Sequence, residues 1–277
     1  MTRLEARHPG DELAGARSSA RGLYERRRGL LALASRETHR VLKLWTQTIL
    51  APVISSLLFI VVFGLSLGER IKDIDGVPYD QFIVPGLIAM AMAQAAYSNN
   101  ASSTFQARFD RYIHDVLAAP MRAWEVNLGL SVGGAVRALA IGIALGAVAV
   151  PVTGVPVREP LALAAAVIAL LVAFCALGVV VGIYAESFDH HMAVNNVAIL
   201  PLAFLGGVFY SVDLLPSPWE EISHLNPVFY LVQAVRYGFL GTADVSYALA
   251  LGVTAGCGLV FVAWSAWLFA TGRRLKP

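Results

Sequence analysis

Residues 161–184 read LALAAAVIALLVAFCALGVVVGIY and contain no charged side chain. A helix of about 20 apolar residues is long enough to cross the hydrocarbon core of a bilayer, and five other stretches of the chain also meet this requirement. We therefore predict an all-α, polytopic membrane protein with six transmembrane helices. Their predicted bounds are 46–67, 82–101, 124–150, 161–184, 193–215 and 247–270.

The overall composition agrees with this class. Of the 277 residues, 57% are hydrophobic and 14% are charged, whereas a typical soluble domain is about 25% charged. The formal net charge of +2 gives no indication of a nucleic-acid partner, and none is predicted.

The basic residues indicate how the helices are oriented. With six spans both termini lie on one side of the membrane, and that side holds 16 of the 21 Lys and Arg residues. The opposite side holds four, and Arg137 lies inside the third span. Because cytoplasmic loops are enriched in Lys and Arg, we predict that both termini are cytoplasmic.

The first 45 residues contain two segments of different character. Residues 1–22 are rich in Arg, Gly, Ser and Glu, a composition that predicts a disordered basic tail. In residues 23–45, apolar side chains recur at helical spacing opposite a row of Arg and Lys, with Glu37 close to the apolar stripe. This pattern predicts an amphipathic helix on the membrane surface, followed by a six-helix domain over 46–277.

The loop after the second span has its own helical periodicity. Ser103 or Thr104 can cap its start and Pro120 marks its end, so we predict a helix of about three turns over 105–117. Its polar face alternates in charge, which suits docking on a cytoplasmic partner protein better than contact with lipid. The alternative is an interfacial helix that only anchors the loop. The residues predicted for docking are Phe105, Arg108, Phe109, Asp110, Arg111, Tyr112, Ile113, His114 and Asp115.

The segment 216–241, on the opposite side, is apolar but too broken to span the membrane. Pro218 predicts the start of one short helix, and Asn226 followed by Pro227 predicts the capped start of a second. We expect two re-entrant helices that cover the outer mouth of a pathway, and an amphipathic loop on the outer surface is the alternative. The residues predicted for this outer gate are Asn226, Pro227, Phe229 and Arg236.

Polar residues inside the predicted spans are the remaining candidates for functional residues. Arg137 lies about 20 Å deep at 1.5 Å per residue, where a charge costs at least ~2.5 kcal/mol. We expect it to have a structural or gating role rather than to bind a substrate directly. The intramembrane amides either line a route or join helices, and joining is favoured. The residues predicted for a translocation pathway or its gate are Gln94, Tyr97, Asn100, Arg137, Asn195, Asn196, Phe204 and Phe209.

Motifs for catalysis and cofactor binding are missing from the sequence. It contains no Gly-Lys dipeptide, so a phosphate-binding P-loop is excluded, and it contains no His-Glu-x-x-His zinc motif. His190 and His191 are adjacent and point apart on a helix, which makes them poor joint metal ligands. We therefore predict no catalytic, metal or cofactor site in this chain.

Four stretches together resemble a known family. They are 82–87 (FIVPGL), 105–120, 205–211 (LGGVFYS) and 224–241, which begins HLNP and ends RYGFLG. They look like the ABC-2 type permease family, and are most similar to its bacterial drug-resistance and nodulation-factor exporter branch. The likeness runs in order over about 30–274, whereas the long Arg-rich N-terminal segment departs from the family.

The resemblance implies a function and a set of partners. It implies a six-helix subunit in the bacterial inner membrane that forms a homodimer and binds two copies of a separate ATPase subunit, which hold the ATP and Mg. It also implies that 23–45 is a connecting helix and that 105–117 is a coupling helix, pushed when the ATPases close. The expected cargo is an amphiphile, such as a lipid, glycolipid or drug, moved outward between the second and fifth helices of two copies. The alternative is a channel or scaffold subunit that needs no ATPase.

Overall fold

The structure is a computed structural model that describes residues 9–68, 73–74 and 76–275. Within these ranges the chain is almost entirely helical, with two π-helical turns and a two-stranded antiparallel ribbon closed at Gly76. Among the described residues, the ribbon is the one exception to the all-α prediction. The elements are α1 (Pro9–Lys43), π1 (Thr46–Leu50), α2 (Ala51–Gly68), β1 (Asp73–Ile74), β2 (Val77–Pro78), α3 (Tyr79–Phe109), α4 (Ile113–Ala118), α5 (Ala123–Thr153), α6 (Pro160–Tyr184), α7 (Phe188–Val194), π2 (Asn195–Ile199), α8 (Leu200–Leu205), a 3₁₀ turn (Val212–Leu214), α9 (Trp219–Leu225), α10 (Pro227–Leu240) and α11 (Tyr247–Thr271).

Helix α1 extends further than the amphipathic pattern indicated. It begins at Pro9, so residues 9–22 are helical where a disordered tail was predicted, and residues 1–8 lie outside the described ranges. One side of α1 packs along α5, with Leu33 against Gly129 and Glu37 against Gly133. The glycines allow this close approach because any larger side chain would occupy the space of the α1 residues.

Helix α3 forms the centre of the bundle and packs against α2, α5, α6 and α10. Its residues Ile83, Ala96 and Tyr97 are completely buried. Gly178 of α6 lies so close to α3 that a Cβ atom there would be 2.5 Å from the carbonyl oxygen of Tyr97. Contact between two helix backbones at this distance requires glycine, and it fixes the position of α6 on α3.

Four helical segments are long and apolar enough to cross a membrane: Thr46–Gly64, Ala123–Thr153, Pro160–Tyr184 and Tyr247–Thr271. These agree with the predicted first, third, fourth and sixth spans. The second and fifth predicted spans correspond to α3 and to the broken helix α7–π2–α8, so the total of six stays a prediction.

The predicted fifth span has different bounds in the structure. It starts at Phe188 and ends at Leu205, whereas the sequence predicted 193–215. The chain leaves the helix at Gly206 and Gly207, where Gly207 has a φ of +74°. The residues that follow are still apolar, and Val208 and Val212 are buried in irregular backbone, which is why hydropathy extended the helix too far.

The helical bundle has two ends. The end at which α3, α6 and α11 all terminate is called the base. There, Arg108 donates to the carbonyl oxygens of Gly182, Ala185 and Arg274. The opposite end, called the crown, brings Tyr79 to within 3.2 Å of the carbonyl of Phe209. The sequence predicts that the base faces the cytoplasm.

The predicted helix over 105–117 is two pieces in the structure. Its first part is the last turn of α3, which continues through Phe105 to Phe109, and its second part is the short helix α4. Between them Arg111 adopts a left-handed conformation with a φ of +61°, which interrupts the helix without a Gly or Pro. A single three-turn helix was therefore wrong, and we call 105–117 the coupling segment.

Candidate functional site

The coupling segment presents an exposed surface at the base. Phe109 is 74% exposed, and the charged side chains that follow it are also exposed. Ile113 is 1% exposed and packs in a second hydrophobic core with Leu33 of α1 and Leu130 of α5. An apolar side chain ringed by charges of both signs, on an anchored backbone, suits a protein partner. This surface, called the base patch, consists of Phe109, Asp110, Arg111, His114 and Asp115.

Three other residues predicted for docking have structural contacts. The Arg108 guanidinium donates to the carbonyl oxygens of Gly182 (3.2 Å) and Ala185 (3.0 Å), at the end of α6. Burial, and then the nearby Arg274, lower the pKa of Arg108. Phe105 and Ile113 are buried. These three side chains hold the coupling segment in place and are not part of its exposed surface.

Glu37 joins the amphipathic helix to the base of α3. Its carboxylate is 1% exposed and lies 2.9 Å from Arg36 and 3.1 Å from Arg40. The hydroxyl of Ser103 on α3 donates to it at 2.7 Å. The Arg36 guanidinium also covers the ring of Tyr112, with 4.3 Å between the Arg36 Cζ atom and the ring centroid. Sequence reasoning noted Glu37 only as a mismatch in an apolar stripe, and missed this network.

Aromatic contacts connect the coupling segment to the start of the predicted fifth span. The ring centroid of Phe105 lies 6.4 Å from that of Phe188 and 6.1 Å from that of His191. The rings of Phe188 and His191 pack edge to face at 4.5 Å. His191 is 1% exposed. These ring contacts join the coupling segment to α7.

A polar cavity of about 410 Å³ lies among the predicted first, second, third and fifth spans. It brings together Gln94, Arg137 and Asn195 from the predicted pathway. It also includes Gln47, which sequence reasoning missed because it lies at the start of an apolar run. The complete lining is Gln47, Ala51, Pro52, Ser55, Ser56, Phe59, Leu87, Met90, Ala91, Gln94, Ala95, Ser98, Arg137 and Asn195.

Both π-helical turns contribute to this cavity. Gln47 lies in π1 and Asn195 lies in π2. The carbonyl of Thr48, also in π1, accepts a 2.9 Å hydrogen bond from Nε of Arg137. A π-helical turn inserted in an α-helix is frequent at functional sites, and here both turns line one polar space.

Other predicted pathway residues lie outside the cavity lining. Tyr97 is buried and its hydroxyl donates to the carbonyl of His191 at 2.9 Å. Asn100 is buried and donates to the carbonyl of Cys175 on α6 at 3.1 Å. Asn196 is exposed and accepts a hydrogen bond from Asn195. Tyr97 and Asn100 therefore each join two helices. For the intramembrane amides, of which Asn100 is one, joining helices was the favoured alternative.

Phe204 and Phe209 belong to an aromatic cluster with two phenylalanines of α2. The rings of Phe204 and Phe209 stack at 5.4 Å, and Phe209 lies 4.8 Å from Phe63. Phe59 stacks on Phe63 at 5.8 Å and also lines the cavity. The cluster of Phe59, Phe63, Phe204 and Phe209 thus borders the polar cavity on its crown side.

The predicted outer gate is held by buried polar contacts. Asn226 caps α10 by accepting from the backbone of Val228 at 2.9 Å, and its amide donates to the carbonyl of Leu202. Arg236 is 1% exposed and donates to the carbonyl of Gly207 at 2.6 Å. Its Cζ atom lies 3.9 Å from the ring centroid of Phe82 on α3.

These contacts join α10 to α8 and α3 at the crown. Phe229 is also buried, against the ring of His224. Pro227 is exposed at the first position of α10. Two short helices are confirmed here, and their re-entrant placement stays a prediction.

Apolar helices long enough to cross a bilayer, packed around a cavity that holds an arginine, define a polytopic membrane protein. The family model for ABC-2 type transporters matches residues 28–240. The chain therefore belongs to the ABC-2 type transporter family, which confirms the resemblance found in the sequence.

Relatives cover nearly the whole chain. The inner membrane transport permease YadH of Escherichia coli K12 is 39% identical over 249 residues, which are 89% of this chain and 96% of YadH. Nodulation protein J of Rhizobium leguminosarum bv. viciae is 28% identical over 76% of this chain and 83% of its own length. Nodulation protein J of Rhizobium meliloti 1021 is 28% identical over 84% of this chain and 90% of its own length.

Proposed function

We propose that this chain is the membrane subunit of a type-2 ABC exporter in the bacterial inner membrane. It moves an amphiphilic molecule outward, and a separate ATPase subunit, bound at the base in two copies, hydrolyses the ATP. A second copy of this chain completes the pathway. Membership of the ABC-2 type transporter family supports the transport role, and the name of the relative YadH supports the inner-membrane location.

The observation that best supports the proposal is the exposed base patch, whose backbone is held in place by buried contacts on both sides. Phe109 is exposed at the end of α3, while Arg108 and Ile113 fix the backbone on either side of the patch. The mixed charges of the patch suit a complementary protein surface, and a partly exposed aromatic side chain is a frequent hot spot of protein interfaces.

Helix α3 gives the base patch a mechanical link to the cavity. It is one uninterrupted helix of 31 residues, which is about 46 Å long at 1.5 Å per residue. Phe109 lies at its base end, and Gln94 lines the cavity in its middle. A force applied by a closing ATPase at the patch moves the cavity wall in the same rigid body.

The cavity fits an amphiphile. Its volume of about 410 Å³ is within the range of about 300–1,000 Å³ common for ligand pockets. Polar groups such as Gln94 and Ser98 and apolar groups such as Pro52 and Met90 line the same space. Helix α2 leaves Leu58 and Val62 more than half exposed, which provides an apolar surface for lipid and for a second copy.

The test compares two exposed apolar side chains at opposite ends of the bundle. Phe109 at the base is 74% exposed and Leu225 at the crown is 85% exposed. We expect Phe109→Ser to reduce capture of the ATPase by at least tenfold, since loss of an interface hot spot costs about 2 kcal/mol or more. We expect Leu225→Ser to leave it unchanged.

The measurement is co-purification of a Walker-motif ATPase with the tagged chain from native membranes, followed by ATP-dependent transport in reconstituted vesicles. Equal capture by Phe109→Ser and Leu225→Ser would show that the base patch is not the docking surface. Solute movement without ATP, and without any bound ATPase, would support the alternative of a channel or scaffold subunit.

A further inference from the structure

The polar cavity has an unusual charge distribution. Arg137 is the only charged residue in its lining, and the other polar lining residues are neutral amides and hydroxyls. Arg137 is residue 15 of α5, near the middle of a helix apolar enough to cross a membrane. An ionised side chain at that depth needs a counter-charge or polar ligands, because a bare charge is strongly unfavourable in hydrocarbon.

Nearby charges do not neutralise Arg137. Over the part of the chain that the structure describes, Arg137 forms no ion pair. The buried carboxylate of Glu37 is already held by Arg36 and Arg40. Arg40 lies close enough to repel the charge of Arg137. The positive potential of the cavity wall is therefore uncompensated within the described residues.

The hydrogen bonds around Arg137 leave donors directed to the cavity. Its Nε atom is used by the carbonyl of Thr48, which fixes the plane of the guanidinium. Its two terminal nitrogens form no hydrogen bond to the described residues. Nε2 of Gln94 is buried and has no acceptor among the same residues, although Gln94 lines the cavity. A buried donor without an acceptor is unfavourable, and a ligand oxygen that accepts from it would remove this penalty.

We infer that this cavity binds the anionic headgroup of an amphiphile, a phosphate or a carboxylate, through the guanidinium of Arg137 and the amide of Gln94. Arginine forms short, charge-assisted hydrogen bonds with both kinds of headgroup. The apolar lining around Phe59, continued by the aromatic cluster, accepts the start of the hydrophobic tail. The inference rests on the proposed function and narrows its cargo to acidic amphiphiles.

The experiment measures binding to the full chain in nanodiscs of phosphatidylcholine. The probe is tritiated dodecyl phosphate, and dodecyl maltoside and laurate compete as neutral and carboxylate ligands with tails of the same length. Arg137→Gln removes the charge but keeps a donor for Thr48, and Arg137→Lys keeps the charge. Ser56→Phe fills the cavity. Arg273→Gln, which changes an exposed arginine at the base, is the control.

We expect the wild-type chain to bind dodecyl phosphate at least tenfold more tightly than dodecyl maltoside. Arg137→Gln should bring the two affinities within threefold, Arg137→Lys should retain most of the preference, and Ser56→Phe should weaken both ligands. Effective competition by laurate would extend the headgroup class to carboxylates, and its failure would restrict the class to phosphates. Equal binding of phosphate and maltoside by the wild type, or an unchanged preference in Arg137→Gln, would overturn the inference.

The result also separates this inference from the proposed function, because the assay contains no ATP and no ATPase. ATP-dependent transport together with an unchanged preference in Arg137→Gln would refute the headgroup site and leave the exporter in place. A preference that depends on Arg137, together with transport that is independent of ATP, would retain the site and refute the exporter.

Discussion

Replacing Glu37 with glutamine tests whether the network at the base holds α1 on α3. In Glu37→Gln the side chain keeps its size but loses the charge that Arg36 and Arg40 share, at 2.9 and 3.1 Å. The amide can still accept from the hydroxyl of Ser103. Removing one partner of a fully buried ion pair costs about 3–5 kcal/mol. Because Arg36 and Arg40 are 45% and 29% exposed and regain water, we expect a smaller loss, about 2 kcal/mol.

The assay is equilibrium unfolding of the purified chain in mixed micelles, with the free energy of unfolding extrapolated to zero denaturant. The matched control is Glu186→Gln, whose carboxylate is 81% exposed and lies 4.0 Å from Arg274. An exposed ion pair contributes about 0–1 kcal/mol, so the control should change little. If Glu37→Gln and Glu186→Gln destabilise the chain equally, the buried network does not hold α1 in place and our account of the base is wrong.

Two further predictions concern packing and the base. Gly178→Ala should lower the free energy of unfolding by about 1–3 kcal/mol, because its Cβ would lie 2.5 Å from a backbone oxygen of α3. Gly146→Ala is the control, because an added Cβ atom at Gly146 would have no neighbour within 4 Å apart from its own helix backbone. This variant should leave the free energy of unfolding equal or slightly higher in the same assay. Arg108→Met should destabilise the chain by about 1.5–3 kcal/mol through loss of its bonds to carbonyl oxygens, and an unfolding curve identical to wild type would contradict its structural role.

The sequence predicted the elements whose local signals agree with their packing. The run at 161–184 is uniformly apolar, and α6 forms there with nearly the same bounds. Asn226 and Pro227 supply a cap and a first residue, and α10 begins there and ends before Gly241. In these cases the residues that favour a helix are also the ones that fix its ends.

Prediction from the sequence failed where tertiary contacts override local signals. Apolar residues continue after Leu205, so hydropathy could not show that Gly207 ends the helix and that the following residues are buried in irregular backbone. Periodicity grouped Phe105, Phe109 and Ile113 on one apolar face, but only Phe105 and Ile113 are buried, whereas Phe109 is 74% exposed. It could not show the break at Arg111, where no glycine or proline marks the change of direction.

The cavity was predicted only in part because its lining comes from four distant segments. Their position inside predicted spans identified Gln94, Arg137 and Asn195 as candidates for the pathway. Position alone could not distinguish them from Asn100, which joins α3 to α6. Ser55 was missed because a serine inside a membrane helix usually bonds its own backbone, and Ser55 does so with Ala51 at 3.0 Å while also lining the cavity.

The two π-helical turns make the register of the cavity wall adjustable. A π turn holds an extra residue, so conversion to α geometry would rotate the following part of the helix by about 100°, the angle per residue of an α-helix. Gln47 and Asn195 each lie inside such a turn, and either would leave the polar space on conversion. Relocating the extra residue of a π turn along its helix would therefore change which side chains line the cavity.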